Sequence, residues 1–204
     1  MTSIRSYLNQ LLKKQNVITV VSGLPRSGTS MMMSALKAGG LPLLTDNLRA
    51  ADPNNPKGYF EYERVKKLQK GDTQWLNAAC GKAVKIISSL LINLPDNFHY
   101  RIIFMERELD EILASQARML ARNGIKKQHS VSYDDLRVYY KEHLSEIKGW
   151  LEEKGCIQTL FVSYNEALRD PLRTFEQVAM FLENRVNPKK MAQIVDTSLY
   201  REHS

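Results

Sequence analysis

A short glycine-containing segment near the amino terminus has the clearest chemical character in this sequence. Backbone N–H groups in such a segment, placed between a strand and a helix, form a concave site for an anion. Glycine lets the backbone approach the anion closely, arginine supplies a fixed positive charge, and threonine and serine add hydroxyl donors. A glycine turn that only joins a strand to a helix is the alternative interpretation. The residues concerned are Gly23, Leu24, Pro25, Arg26, Ser27, Gly28, Thr29 and Ser30.

The segment departs from the usual loop of nucleoside-triphosphate-binding proteins in the position of its cation. That loop has the pattern G-x-x-x-x-G-K-[ST], in which the lysine reaches the β- and γ-phosphates. Here Thr29 stands in the lysine position, and the nearby cation, Arg26, precedes the second glycine by two residues. The pattern therefore indicates an anion site but disfavours an ordinary ATPase.

A second candidate anion site consists of Arg107 and Ser115, which lie eight residues apart. The apolar run before Arg107 predicts a strand, and the apolar spacing after it predicts a helix that contains Ser115. Two helical turns separate the two residues by about 11–12 Å, a distance compatible with a long arginine side chain. Both side chains can therefore contact one anion. A surface arginine and an unrelated helical serine are the alternative.

Strands are needed to hold these residues, and the sequence predicts four of them. Each is a short β-branched or apolar run followed by polar or turn residues, which is typical of strands buried in a parallel sheet. The predicted strands are 17–21, 83–87, 101–105 and 157–162.

Helical patterns separate the predicted strands. One follows Gly28, one follows Arg107, and a long charged one covers 132–154 with Ser132 as its cap. Another begins at Asp170, and a last short one begins at Asn187. Residues 52–58 are rich in proline and asparagine and predict a loop, after which a helical pattern resumes near Glu61. Because strands alternate with helices, we expect an α/β fold with a single-domain parallel β-sheet flanked by helices.

Length and composition limit the class of protein. The 204 residues fit one domain, 1–204, and the hydrophobic and charged fractions, 43% and 25%, are those of a globular chain. No run approaches the roughly 18 apolar residues of a membrane-spanning helix, and 1–16 lacks the apolar core of a signal peptide. We therefore expect a cytoplasmic protein without a membrane span. Cys80 and Cys156 have no metal-ligand neighbours in sequence and are expected to be core thiols.

The net charge favours an anionic partner without identifying it. The formal charge is +7 at pH 7, which raises the local concentration of anions. The basic residues are scattered, and the sequence has no basic stripe interleaved with aromatic residues of the kind that binds nucleic acid. No nucleic-acid partner is therefore expected.

The order Pro-Arg-Ser-Gly-Thr-Ser at 25–30 resembles the 5′-phosphosulfate loop of sulfotransferases. These enzymes also carry an arginine at the end of a strand and a serine eight positions on, as Arg107 and Ser115 are arranged here. The segments 162–164 and 198–201 are similar to the family's last strand and tail, so the resemblance covers nearly the whole chain. It implies the P-loop NTPase-like architecture of sulfotransferases, with 3′-phosphoadenosine 5′-phosphosulfate (PAPS) as the donor substrate.

The resemblance also implies roles for individual residues. The loop would bind the 5′ end of the donor, and Arg26 would in addition stabilise the bridging oxygen and the sulfonyl group. Arg107 and Ser115 would bind the 3′-phosphate, so that two oxyanion sites lie at opposite ends of one nucleotide. The expected donor-binding residues are Pro25, Arg26, Ser27, Gly28, Thr29, Ser30, Arg107 and Ser115.

A catalytic base is expected between the first helix and the second strand. An acceptor hydroxyl loses its proton as it attacks sulfur, so a carboxylate near the sulfonyl group is chemically suited. The segment 55–61 resembles one found in bacterial sulfotransferase-like proteins, and in related enzymes an acidic residue in this region is the base. Glu61 is the first candidate and Glu63 the second, while a surface glutamate near a helix start is the non-catalytic alternative. The four histidines are scattered and are expected to be structural or exposed.

Two further expectations concern charge at the site. A transferring sulfonyl group carries less negative charge than a phosphoryl group, so arginine, hydroxyl and backbone donors can suffice, and no metal is expected. Lys82 and Lys85 flank the second predicted strand, and either can approach the donor.

The sequence differs from animal cytosolic sulfotransferases in lacking an Arg-Lys-Gly segment that closes over the 3′-phosphate, for which Arg201 is a candidate substitute. The acceptor, whether small molecule, glycan, lipid or peptide, and the oligomeric state are not defined by the sequence. Two other functions stay open. One is a P-loop nucleotide kinase or NTPase that uses Arg26 with Mg²⁺, and the other is a non-catalytic nucleotide- or nucleic-acid-binding module.

Overall fold

The fold is built on a four-stranded sheet in which neighbouring strands run parallel. The computed structural model describes residues 17–46, 48, 58–122 and 132–195. The strands are β1 (Val17–Gly23), β2 (Ala83–Lys85), β3 (His99–Glu106) and β4 (Ile157–Ser163). Their order across the sheet is β2-β1-β3-β4. The predicted α/β fold with a parallel sheet flanked by helices is confirmed.

Helices follow the strands. Within the described residues the α-helices are α1 (Thr29–Ala38), α2 (Leu76–Ala79), α3 (Leu109–Arg122), α4 (Tyr133–Glu153), α5 (Tyr164–Arg169), α6 (Pro171–Phe181) and α7 (Pro188–Ala192). Two 3₁₀ helices span Glu63–Lys70 and Ser88–Asn93. None of the helices in the described ranges is long and apolar enough to cross a membrane.

Both faces of the sheet are covered, because successive side chains of a strand point to opposite faces. In β3, Ile102 belongs to the apolar cluster that also holds residues of α4 and of both 3₁₀ helices. Its neighbour Ile103 belongs to a second cluster that also holds residues of α1, α6 and α7. Both isoleucines are fully buried. The near-continuous apolar character of the strands is therefore the consequence of burial on two sides.

The strand order reverses direction between β1 and β3. From β1 the chain first forms β2 on one side, and it then returns to form β3 on the other side. In parallel sheets, ligands bind outside the carboxyl ends of the strands at such a reversal. The glycine segment follows β1 and Arg107 follows β3, so the topology brings both predicted anion sites to this end of the sheet.

Most predicted elements are confirmed, with a few differences. The four strands agree with the predicted ranges to within two residues, and Ser132 caps α4 through a reciprocal hydrogen-bonded pair with Asp135. The helical pattern expected near Glu61 is a 3₁₀ helix that starts at Glu63. The short helix α5 was not predicted, since six residues show too little periodicity. Most of the predicted loop, 52–57, and Arg201 lie outside the described residues.

The two cysteines are free thiols at the margin of the core. Cys80 and Cys156 are half-buried and pack against the cluster that contains Ile102. Burial raises the pKa of both thiols above the ordinary value, which keeps them protonated and poorly reactive near neutral pH.

Candidate functional site

The segment after β1 folds into a loop that ends at the first turn of α1. Ser27 N–H donates to the carbonyl of Leu24 at 3.2 Å, and Met32 N–H donates to the carbonyl of Gly28 at 3.1 Å. Gly28 is the N-cap residue of α1, with no side-chain cap, and the first turn of the helix contains no acidic residue. The N–H groups of this turn carry the positive end of the helix dipole, so the loop has the electrostatic character of an anion site.

Two glycines in this loop are required by close contacts. A Cβ at Gly23, where φ is +143°, would lie 2.6 Å from the carbonyl oxygen of Met105 in the neighbouring strand. A Cβ at Gly28, where φ is +97°, would lie 2.4 Å from Cδ2 of Tyr164. Since only glycine tolerates both the backbone angle and the contact, the sequence Gly-x-x-x-x-Gly is a packing requirement here.

Ser27 contributes a buried hydroxyl to the same loop. Its side chain is fully buried, and Oγ has no hydrogen-bond partner within the described part of the chain. A buried hydroxyl without a partner costs free energy unless a ligand or a water satisfies it. This hydroxyl lies on the β1 side of the loop, 2.5 Å from the position of a Cβ at Gly23, so it packs against the strand.

Arg26, Ser115 and Arg107 form one connected cluster between the loop and α3. Nε of Arg26 donates to Oγ of Ser115 at 3.0 Å, and Nη1 of Arg107 donates to the carbonyl oxygen of Arg26 at 3.1 Å. The side chain of Arg107 is only 8% exposed, and Ser115 is buried. The structure thus brings together the three residues predicted from two separate motifs, and it places their two sites in direct contact.

Tyr164, the first residue of α5, packs between the loop and Arg107. Its ring centroid lies 4.4 Å from Cζ of Arg107, a cation–π distance, while its edge closes the space beside Gly28. Burial raises the pKa of the phenol above its ordinary value, and the charge of Arg107 acts in the opposite direction. The phenol is therefore neutral at physiological pH and serves as an aromatic wall of the site.

Lys85, at the end of β2, connects the loop to the predicted base. Its Nζ lies 3.4 Å from Oγ of Ser30 and 3.9 Å from Oε1 of Glu61, and it donates to the carbonyl of Tyr59. The lysine side chain is 9% exposed and that of Glu61 is 25% exposed. The structure therefore places Glu61 next to the loop, with a nearly buried cation between them.

Glu63, the second candidate base, lies in a different environment. Its carboxylate pairs with Lys66 one helical turn later at 2.6 Å, and its side chain is 43% exposed. Its backbone N–H donates to Oδ2 of Asp46 at 2.6 Å, which fixes the start of the 3₁₀ helix. Of the two carboxylates, Glu61 is the one connected to the loop, through Lys85.

Lys85 and Tyr164 are site residues to which the sequence analysis assigned no definite role. The signal for Lys85 was a charged residue within a short buried strand, since lysine is rarely buried without a partner. For Tyr164 the sequence shows only an aromatic residue after the last strand, and its contact with Arg107 depends on how β4 pairs with β3. Lys82, the other lysine at this strand, contributes its carbonyl to Thr19 at the opposite end of β2.

Comparisons with known proteins agree with this geometry. The family model described as a sulfotransferase domain matches residues 18–204. The solved sulfotransferase domain from the curacin biosynthetic pathway shares 16% sequence identity at a TM-score of 0.50, with 88% of this chain and 77% of that one covered. Sulfotransferase STF9 from Mycobacterium avium shares 13% identity at a TM-score of 0.53, with 98% and 73% covered. A search of curated proteins found no significant match.

The two solved structures are distant in sequence, so they bear on the fold, and they agree with the P-loop-like architecture of this sheet. The family model is the stronger finding, because it extends from β1 through every element of the site. This chain therefore belongs to the sulfotransferase family and is an enzyme of sulfonyl transfer.

Proposed function

We propose that the donor of this sulfotransferase is PAPS and that its acceptor is a hydroxyl or an amine. The observation that carries the proposal is the cluster of Arg26, Ser115 and Arg107 beside a loop of anion-binding form. Two arginine side chains held in one cluster suit a ligand with two separate anionic groups, because each arginine can bind one of them. PAPS has such a pair, a 5′-phosphosulfate and a 3′-phosphate.

The contact between the two sites fits a nucleotide whose anionic groups share one ribose. The loop residues Pro25 to Ser30 would hold the 5′-phosphosulfate through backbone N–H groups and through the hydroxyls of Thr29 and Ser30. Arg107 and Ser115 would hold the 3′-phosphate. Since the 5′ and 3′ positions belong to the same sugar, their binding sites need to adjoin, as Arg26 and Ser115 do at 3.0 Å.

In the proposed reaction the acceptor oxygen or nitrogen attacks sulfur. A bond forms between the acceptor and sulfur, and the bond from sulfur to the bridging phosphate oxygen breaks. Glu61 takes the proton that the acceptor loses, and adenosine 3′,5′-bisphosphate leaves. Arg26 and Lys85, whose Nζ lies 3.4 Å from Oγ of Ser30 in the loop, would stabilise the negative charge that develops on the bridging oxygen. No metal is assigned to this reaction, and its absence stays a prediction.

Calorimetry tests the choice of donor against a kinase or NTPase. We expect adenosine 3′,5′-bisphosphate to bind without metal and more tightly than ATP with Mg²⁺. Arg26→Met should weaken this binding by about 10- to 100-fold, the worth of a charge-assisted hydrogen bond. Arg173→Met is the matched control, since Arg173 is exposed on α6. Tighter binding of ATP with Mg²⁺ would contradict the proposal.

Transfer itself is tested with a labelled donor. We expect [³⁵S]PAPS to label an acceptor in a mixture of phenols, sugars, lipids and peptides, or in a metabolite extract. Strong salt-dependent binding of an oligonucleotide, with no labelled product from any acceptor, would instead indicate a nucleic-acid-binding module.

A further inference from the structure

Behind Arg107, on the side of α3 and α5, lie two polar residues that none of the motifs includes. Oε2 of Glu111 accepts from Nε of Arg107 at 2.7 Å, and Oε1 of Glu111 accepts from Nδ2 of Asn165 at 2.7 Å. Glu111 lies in the first turn of α3, four residues after Arg107, and Asn165 is the second residue of α5. The carboxylate therefore links the arginine to a different helix through one acceptor oxygen on each side.

The orientation of Asn165 is set by this carboxylate. An ionised carboxylate only accepts hydrogen bonds, so the amide must turn its NH₂ group toward Glu111. Oδ1 of Asn165 is then buried, with no hydrogen-bond partner among the residues described. A buried oxygen left unsatisfied costs free energy, which indicates that holding Glu111 is the dominant interaction of this side chain.

Three contacts restrict the guanidinium of Arg107. Glu111 holds Nε, the carbonyl of Arg26 holds Nη1, and the ring of Tyr164 covers one face at 4.4 Å. Because the guanidinium is planar and its donors form a rigid fork, fixing Nε and Nη1 also fixes where the third nitrogen points. A group held in this way loses little conformational entropy when it binds an anion.

We propose that Glu111 and Asn165 are positioning residues that hold Arg107 in the orientation that receives the 3′-phosphate of the nucleotide. The inference rests on the proposed function, since it takes Arg107 as the 3′-phosphate ligand. Glu111 and Asn165 thereby set the preference for nucleotides with a 3′-phosphate over nucleotides without one. Glu111 acts through Arg107 and does not itself bind the nucleotide.

Removing the Glu111 side chain distinguishes a positioning role from a purely electrostatic one, because the two predict opposite changes in the affinity for the 3′-phosphate. Glu111 places a negative charge beside the site of an anion, so removing that charge alone would strengthen phosphate binding. If the carboxylate instead serves to orient Arg107, its removal must weaken binding of the 3′-phosphate. The two effects have opposite signs, so Glu111→Ala gives a clear result.

The experiment compares adenosine 3′,5′-bisphosphate with adenosine 5′-monophosphate by calorimetry on the full chain. In Glu111→Ala we expect the preference for the bisphosphate to fall by about 10- to 100-fold, as for one lost charge-assisted hydrogen bond. Affinity for the monophosphate should change little. Asn165→Ala, which removes no charge, should reduce the preference in the same direction but by less. The matched control is Glu108→Ala, an exposed glutamate beside Arg107 in sequence, which should leave the preference unchanged or slightly raised.

A conservative variant completes the test. Glu111→Gln keeps an acceptor for Nε of Arg107, and the amide of Asn165 can turn over to present its oxygen to the new NH₂ group, so most of the preference should return. An unchanged or increased preference in Glu111→Ala and Asn165→Ala would overturn the positioning role while leaving the donor assignment intact. If Glu111→Ala does not fold, Asn165→Ala and Glu111→Gln decide the question. A wild-type protein without any preference for the bisphosphate would overturn the donor assignment, and this inference with it.

Discussion

Replacing Gly28 by alanine would test whether the loop of residues 23–30 and the cluster around Arg107 are packed as one unit. Gly28 has φ +97°, and an added Cβ would lie 2.4 Å from Cδ2 of Tyr164. The same ring lies 4.4 Å from Cζ of Arg107. The substitution therefore strains the backbone of the loop and forces Tyr164 to move relative to Arg107, so that one methyl group disturbs both anion sites.

The expected loss of stability has two parts. A left-handed backbone angle costs a residue with a Cβ about 1–2 kcal/mol. Carbon atoms normally approach to about 3.5–4.0 Å, so a contact of 2.4 Å must be relieved by moving the ring, and overpacking of this kind costs about 1–3 kcal/mol. The sum, about 2–5 kcal/mol, is a large share of the roughly 5–15 kcal/mol that stabilises a typical domain.

Gly71→Ala is the matched control, because Gly71 has φ +78° but no atom within 4 Å of an added Cβ. It should show the backbone cost alone, about 1–2 kcal/mol. Urea unfolding measures both variants, and calorimetry should show weaker binding of adenosine 3′,5′-bisphosphate in Gly28→Ala only. Equal losses of stability in the two variants, with unchanged nucleotide affinity, would refute the packing argument.

Three other predictions concern single residues. Glu61→Gln should lower kcat by about 100- to 10,000-fold, as expected for loss of a general base, without changing the affinity for the bisphosphate. Glu63→Gln should keep a kcat near that of wild type. Initial rates of [³⁵S]PAPS transfer measure both variants, and an equal loss of activity in the two would contradict the prediction. Ser115→Ala removes the hydrogen bond from Arg26 and should weaken bisphosphate binding about 2- to 10-fold in calorimetry, and unchanged affinity would exclude a direct role. Burial lowers the pKa of His143 below its ordinary value. As the pH falls, the imidazole therefore binds a proton in the unfolded chain before it does so in the folded chain. The stability that depends on a neutral His143 is present above about pH 6.5 and is lost as the pH falls further. Urea midpoints should therefore fall less between about pH 7.5 and 5.5 in His143→Gln than in wild type, and parallel curves for the two proteins would count against it.

The central strands β1 and β3 were predictable from sequence because burial on both faces leaves a continuous apolar run. The runs that contain Val20 and Ile102 could be read directly, since parallel strands admit few polar residues. Short elements were harder to predict. Residues 88–93 form a 3₁₀ helix that is tied to α4 by a hydrogen bond between Ser88 and His143 at 2.8 Å, a long-range contact with no local signature. His143 is accordingly a partly buried structural residue, as the sequence suggested for the histidines in general.

The sequence motifs identified residues of the candidate site, but they did not reveal which of these residues contact one another. Arg26, Arg107 and Ser115 were predicted from spacing, and their contact follows from the pairing of β1 with β3, which spacing alone does not reveal. Asn165 could not have been predicted, because its only distinguishing feature is a hydrogen bond to a residue 54 positions earlier. The roles of all these residues in the reaction stay predictions, as does the division of the chain into a single domain.

The hydrogen bond between Arg26 and Ser115 joins residues 89 positions apart. Closing a loop of this length costs entropy that the pairing of the central strands must offset, so we expect this contact to form late in folding. A nucleotide should therefore bind only to protein molecules in which the sheet has formed. At 100 times its dissociation constant, such a ligand would raise the free energy of unfolding by about 2.7 kcal/mol, which makes the melting temperature a convenient indirect reporter of occupancy.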